Sequence, residues 1–454
     1  METTDGSALE CGEPRTSRRY DIIRGMEMTR RNFLAAGVAL GMAGYGKVAA
    51  REALPCVGER YPGWRQGELD IHFIQTGTGE QTFFIFPDGT TMLLDCGDFY
   101  WEKWADSTIP RRPSAERLGG EWVSRYVQRL IPQREIDYFL LSHWHGDHCG
   151  NPKRRHKKLA DGREVCGIAL FAEDFDIRHY FDHQWPRAGV YRYSVDEHGL
   201  KMVKEMIDVL QKRCGMEPHS FKVGALNQFA LLHDEKGAYA ASFSIRNLFA
   251  NAVYWDGKGG TVDYAPEYIK RNPKKKGGID ENSLSAGIRI QYGPFKAYFG
   301  GDIDFPDYEA LLGSVVGPVD VCKTNHHACP SSMGAPFCAA VRAQVYMTSV
   351  WSPSQITSAN LPHMTSRELY PGDRIVMLGC LPEVRRAHYA DRPFMKDILP
   401  VQGHSVFKVA PGGKTFDAFV LTDTDESMRI LYARRFTSGA IHPAAYPVAC
   451  ASRF

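Results

Sequence analysis

Leu141-Ser142-His143-Trp144-His145-Gly146-Asp147-His148 decides the reading of this 454-residue chain. It ends a short, largely apolar run, residues 136–141, of the kind that forms a strand buried on both faces. Three histidines and one aspartate then fall within six residues. At a strand end, their imidazole nitrogens and carboxylate oxygens point toward one cavity. Neutral imidazole with carboxylate is a donor set that Zn²⁺ or Mn²⁺ accepts. One histidine alone would be read as a satisfied core or surface residue; four ligand-type residues in this order are not a packing pattern.

Working outward, residues 69–76 (LDIHFIQT) alternate like a strand. Residues 82–86 and 91–94 flank Pro87-Asp88-Gly89 as a hairpin, and Asp95 closes its second strand in MLLDCG. Helical spacing covers 114–130 and 200–213, and further strands are expected at 285–292, 296–300, 319–322, 405–409 and 416–421. Strands and helices mix throughout, so the class is α/β. Gly300-Gly301-Asp302 follows one of these strands, and Lys323-Thr324-Asn325-His326-His327-Ala328 follows another.

The HxHxDH segment resembles the signature of the metallo-β-lactamase fold hydrolases. Asp95, Asp302 and the late histidine pair match that family in order and strand-end placement. The resemblance implies an αββα four-layer sandwich, with the site at one edge between two sheets. It also implies two divalent metal ions, zinc first and manganese as the alternative. His143 and His145 would hold one ion, Asp147, His148 and His326 the other, and Asp302 would bridge them. Asp95 would orient a metal histidine from behind, Asp147 would align a hydroxide, and Lys323 or His327 would stabilise negative charge or protonate a leaving group.

Finer features are similar to the hydrolase domain of the competence protein ComEC: Ile71-His72-Phe73, Gly77-Thr78-Gly79-Glu80, Phe86-Pro87-Asp88-Gly89 and Lys323-x-x-His326-His327. Asn282, in Glu281-Asn282-Ser283-Leu284, stands where lactamases carry a metal-binding histidine. His363 is similar to that branch's late histidine, and Ala328 replaces its glycine. His179 and His183 are candidate replacement ligands beside aromatic residues.

Composition excludes other classes. At 43% hydrophobic and 24% charged, the chain is neither disordered, collagen-like nor a coiled coil. Lys plus Arg (55) nearly balances Asp plus Glu (53), so no global field draws it to nucleic acid. Phosphate affinity would come from two local runs, residues 153–158 and 274–276, with Arg154, Arg155, Lys157 and Lys275 as candidate contacts. Their alternative reading is solvated loops. Eleven scattered cysteines without a CxxC pair are no disulfide scaffold.

Thr29-Arg30-Arg31-Asn32-Phe33-Leu34, then a weakly apolar stretch and Val48-Ala49-Ala50, has the layout of a cleavable export signal and resembles the twin-arginine motif. Its apolar run is too short to span a bilayer, so no permanent membrane anchor is expected. The expected organisation is a signal over 1–50, a linker over 51–68, a hydrolase domain over 69–425 with an insertion at 152–280, and a tail over 426–454. The expected function is a periplasmic or secreted metal-dependent hydrolase, exported by the twin-arginine (Tat) translocase. Its substrate would be a small or oligomeric anion, a phosphodiester first, with nucleic acid as substrate only. Amide, lactam, thioester or other ester hydrolysis is the alternative, as is a non-catalytic metal-binding envelope protein.

Overall fold

Runs such as Thr82-Phe83-Phe84-Ile85 are buried at every position because both faces of each sheet are covered. The computed structural model describes residues 53–99, 109–185, 197–272 and 278–440. The chain begins one sheet with Leu69–Phe73 (β1), Thr82–Ile85 (β2), Thr91–Leu94 (β3) and Glu135–Leu141 (β4). The two-residue strands Lys157–Lys158 (β5) and Glu164–Val165 (β6) form a separate ribbon, before Asp176–Asp182 (β7) and Glu217–Ser220 (β8) complete that half.

The second sheet follows in one block: Phe243–Ala250 (β9), Val253–Trp255 (β10), Thr261–Asp263 (β11), Gly287–Tyr292 (β12), Phe295–Phe299 (β13), Val321–Lys323 (β14), Val345–Thr348 (β15) and Ile375–Leu378 (β16). The chain then returns to the first sheet with His404–Val409 (β17), Thr415–Leu421 (β18) and Ile430–Thr437 (β19). The resulting orders are β19-β18-β17-β1-β2-β3-β4-β7-β8 and β11-β10-β9-β12-β13-β14-β15-β16.

Period-two alternation sorts each strand's side chains between two cores. Phe84, Met92, Leu94, Tyr138 and Leu140 enter the layer between the sheets, where they meet Ile288, Ile290, Phe299, Val321 and Met347. Phe73 and Phe299 stack there at 5.7 Å. Their neighbours Phe83, Leu93, Phe139 and Leu141 point outward, against the helices Gly119–Val127 (α1), Gly167–Asp174 (α3) and Glu197–Cys214 (α4). Gly146–Cys149 (α2) is the short helix of the histidine motif.

The outer face of the second sheet, with Tyr298, Cys322, Tyr346 and Val376, is covered by Ala265–Arg271 (α5), Pro306–Val316 (α6), Ala335–Val341 (α7), Leu361–Thr365 (α8) and Glu383–Tyr389 (α9). The order is helix, sheet, sheet, helix: a four-layer αββα sandwich. Truncating a wholly buried ring such as Phe84 to alanine would cost about 3–5 kcal/mol.

Two expected boundaries differ. The stretch expected as a tail from 426 carries β19, paired along β18 and pinned by Arg435, whose guanidinium bonds both oxygens of Asp417 at 2.6 and 2.7 Å. The described part of the 152–280 stretch supplies β7 and β8 to one sheet and β9 to β11 to the other. The 51–68 stretch is bonded to the domain rather than linking to it, with Gly58 N–H on the Ile430 carbonyl and Tyr61 Oη donating to Asp70 at 2.6 Å. Arg30, Arg31 and Lys275 lie outside the described residues. Among the described residues no helix is long and apolar enough to cross a membrane.

Candidate metal centre

Loops leaving β3, β4, β13, β14 and β15 meet the β1–β2 loop at one edge of the sandwich. After Leu94 the chain turns through Asp95 at φ +57°. The Asp95 carboxylate accepts the Ser142 N–H and hydroxyl, both at 2.7 Å, and His148 Nδ1 at 2.8 Å. With Nδ1 thus occupied, His148 presents Nε2 inward, 3.0 Å from Asp302 Oδ2.

His327 is fixed in the same way. Its Nδ1 donates to the Ser349 carbonyl at 3.1 Å, and Nε2 lies 3.1 Å from both Asp147 Oδ2 and Asp302 Oδ2. Glu80, from the β1–β2 loop, brings Oε2 to 3.3 Å from His327 Nδ1. Donor atoms of Glu80, His148, Asp302 and His327 all lie within 4.8 Å of one another, and all four residues are buried. His143 and His145 form the neighbouring lobe, with Nε2 of one 3.2 Å from Nδ1 of the other and the His143 and His148 rings 4.2 Å apart.

The protonation pattern follows from this crowding. Burial opposes charge on His148, but Asp302, Asp147 and Asp95 outweigh it and hold its pKa well above the ordinary value. The same competition, won by Asp302 and Asp147, pushes His327 up to about 9. The two imidazoles in turn overcome the burial of Asp147, held down to about 2, and of Asp302, held well below the usual carboxylate range. His143, which burial and then the neighbouring His148 push well down, stays neutral. Buried imidazoles facing shared carboxylate oxygens suit a divalent ion: it would replace the protons that now hold these like-charged carboxylates together.

Two close approaches fix the loops. An added Cβ at Gly97 would lie 1.7 Å from the Asp147 carbonyl oxygen, which accepts the Glu80 N–H at 2.8 Å. Gly301, at φ +58°, lets the chain turn from β13 into Asp302.

Several expected residues sit elsewhere. His326, expected as the late ligand, points away: its Nε2 is 3.3 Å from Asn282 Nδ2 and its Nδ1 3.8 Å from Asp304. The cause is a left-handed turn through three residues, His326, His327 and Ala328 (φ 44, 50 and 56°), which splays the two imidazoles 6.3 Å apart. His327, expected as an acid, is therefore the one whose Nε2 faces Asp147 and Asp302. Asn282 serves this side cluster, donating also to Asp304 at 3.3 Å.

Lys323, expected to face substrate, is buried with its ammonium on the Gly301 carbonyl (2.6 Å), Glu80 (3.0 Å) and Asp302 (3.3 Å). All three of its protons are engaged behind the cluster. His363 bonds the Met333 carbonyl in the outer helical layer. His183 packs on Trp144 at 4.6 Å and lies 3.3 Å from Glu281, which accepts the Trp144 N–H.

Glu80 was read only as part of a motif. A single carboxylate ahead of an apolar strand was the available signal, and it does not mark a site.

The mouth is aromatic and basic. Trp351 Nε1 lies 3.3 Å from His327 Nε2, Phe99 meets Trp351 edge-on at 5.2 Å, and the Arg154 guanidinium stands 5.7 Å above Phe99. Of the other basic candidates, Arg155 bonds the Ala115 carbonyl and Lys157 pairs with Glu121 at 2.9 Å, on the α1 side.

The layer order and the cluster together define an αββα protein with a buried histidine–carboxylate centre at the sheet edge. No family model and no curated protein matches the chain. Solved structures similar to it include Zn²⁺-bound PqqB from Methylobacterium extorquens, at 8% identity, covering 75% of this chain and 99% of that one, with a TM-score of 0.33. The short form of human tRNase Z has 14% identity, covers 63% and 97%, and gives a TM-score of 0.29. Unliganded yeast PDE1 has 8% identity, covers 75% and 99%, and gives 0.33.

Proposed function

We propose that this protein is a metal-dependent hydrolase acting on a phosphodiester, nucleic acid included, outside the cytoplasm. One observation carries the reading: Nε2 of His148 and of His327 converge on the same Asp302 oxygen, with Asp147 and Glu80 beside them, in a buried cluster at a sheet edge. His148, His327, Asp147 and Glu80 would hold one ion, His143 and His145 a second, with Asp302 between them. Bound there, divalent ions lower the pKa of water toward ~7 and polarise a phosphoryl oxygen.

The chain's own residues supply the rest. Asp95 and Ser349 fix the tautomers of His148 and His327. Lys323 holds Glu80 and Asp302 in place and balances their charge while the centre is unloaded. Phe99 and Trp351 offer faces for a base or another flat group, and Arg154 offers a phosphate contact beside them.

Zinc-loaded protein should turn over bis-p-nitrophenyl phosphate and single-stranded DNA, lose that activity to chelator and regain it with zinc. Turnover of nitrocefin or simple esters instead would favour the amide, lactam or ester reading. Bound metal without turnover on any of them would leave a metal-binding envelope protein. Export rests on Arg30-Arg31: changing both to lysine should hold the precursor in the cytoplasm, and periplasmic arrival of that variant would overturn the twin-arginine route.

A further inference from the structure

A second group of metal-type donors lies apart from the centre, on the edge of the nine-stranded sheet. β7 and β8 pair in parallel with His179 opposite Glu217 and Phe181 opposite His219, so period two puts all four side chains on one face. Nδ1 of His179 is 3.2 Å from Nε2 of His219. Oε2 of Glu217 is 3.6 Å from the first and 3.7 Å from the second. Ligands bound at Zn²⁺ distances in a tetrahedron stand roughly 3.3–3.4 Å apart, so these three atoms already mark one face of such a site.

We infer that His179, His219 and Glu217 bind a single Zn²⁺-class ion that clasps the edge strand β8 to β7. The two rings are held before any ion arrives. His219 lies nearly flat on Phe181 (4.8 Å, 23°), and His179 packs on Tyr138 at 5.6 Å. The site is open to ions: the three side chains are 28%, 35% and 66% exposed.

His179 pairs with Tyr138, five residues before His143. The site therefore lies roughly 15 Å along the strand from the histidine motif, too far to share an ion with it. Two histidines and one carboxylate leave a fourth position for water. The structural reason for a clasp is β8 itself. None of its four residues, Glu-Pro-His-Ser, is fully buried, and its proline cannot donate to the ladder.

The competing account is a plain imidazole–imidazole hydrogen bond with a bystander glutamate. Titrating metal-stripped, full-length protein with Zn²⁺ alone separates the two, read by elemental analysis after equilibrium dialysis. Wild type should hold one ion per chain more than His219→Gln and one more than Glu217→Gln. Both variants should keep wild-type turnover of bis-p-nitrophenyl phosphate, and zinc should raise the Tm of wild type more than theirs. Equal zinc content in all three proteins would overturn the site, as would Tm losses that are the same with and without zinc. Should His219→Gln fail to fold, Glu217→Gln carries the test, since its side chain is mostly in water.

Discussion

Stripped of metal, this protein should lose stability as pH rises from 7 to 8.5, whereas its zinc-loaded form should gain. Nε2 atoms of His148 and His327 lie 3.0 and 3.1 Å from one Asp302 oxygen, and Asp147 is 3.1 Å from His327. Those carboxylates overcome burial and raise His327 from an ordinary 6.5 to about 9, with His148 also well above its usual value. A group whose pKa is higher folded than unfolded contributes stability that is complete below the unfolded pKa and lost as pH rises through the folded one. The window for His327 is therefore 6.5 to about 9. The loss approaches about 1.4 kcal/mol per pH unit for each histidine, or about 3 kcal/mol for His327 over its whole window.

Other groups bound where the measurement is clean. Burial raises Asp98 to about 6 and Glu309 to about 7, which gives a loss of the same sign that is mostly complete by pH 7. Asp147, depressed to about 2, contributes stability that is present above its ordinary 3.8 and fails only on acidification. The buried thiols Cys96 and Cys166 add loss only above about pH 8.5, where unfolded cysteines ionise. Urea melts in EDTA at pH 7.0, 7.5, 8.0 and 8.5 isolate the histidines. His327→Asn should flatten the slope by about 1.4 kcal/mol per unit. With zinc the sign reverses, because the ion displaces these protons and binds more tightly as pH rises. A flat metal-free profile, unchanged by His327→Asn, would mean that the two imidazoles carry no proton against Asp302, and the charge scheme of the centre would fail.

His327→Ala should abolish zinc binding at the centre while His326→Ala keeps it, measured as metal content after gel filtration in both variants. Asp302→Asn keeps the side chain's shape but removes the shared charge; turnover should fall about a hundredfold, equivalent to ~3 kcal/mol, with metal released and circular dichroism unchanged. Gly97→Ala puts a methyl group where the Asp147 carbonyl now sits, so zinc affinity and turnover should both drop, although the substitution touches no ligand side chain. Wild-type affinity in Gly97→Ala would show that the Asp147 loop can shift without moving its carboxylate.

What the sequence disclosed is what short-range pattern controls. β3 and β4 stood out because most of their residues are apolar on both faces, and the histidine motif because its donors fall within six residues. Patterns hidden by tertiary context did not. β19 carries Arg434 and Arg435 in the middle of its run, and only the bidentate pairing with Asp417 makes the second an edge-strand residue. α1 begins at Gly119 rather than 114 because Gly119 and Gly120 pack close against Thr78 and Gly167, contacts far along the chain.

The late histidine shows the same limit at single-residue scale. His326 and His327 are adjacent and chemically identical, and the choice between them is made by backbone sign. Ala328 adopts φ +56°, a conformation usually taken by glycine, so the residue type that announces a left-handed turn is missing. Lys323 shows a related limit. A lysine beside a histidine pair looks like an acid or an anion holder until its surroundings are known. Burying an ammonium without a partner would cost several kcal/mol, so its role is set by whichever carboxylates the fold delivers. Once the β1–β2 loop brings Glu80 to 3.0 Å, both Glu80 and Asp302 flank the ammonium and no proton is left to face the pocket. The chemistry of Lys323 is therefore decided by a residue on another strand connection, more than two hundred positions away.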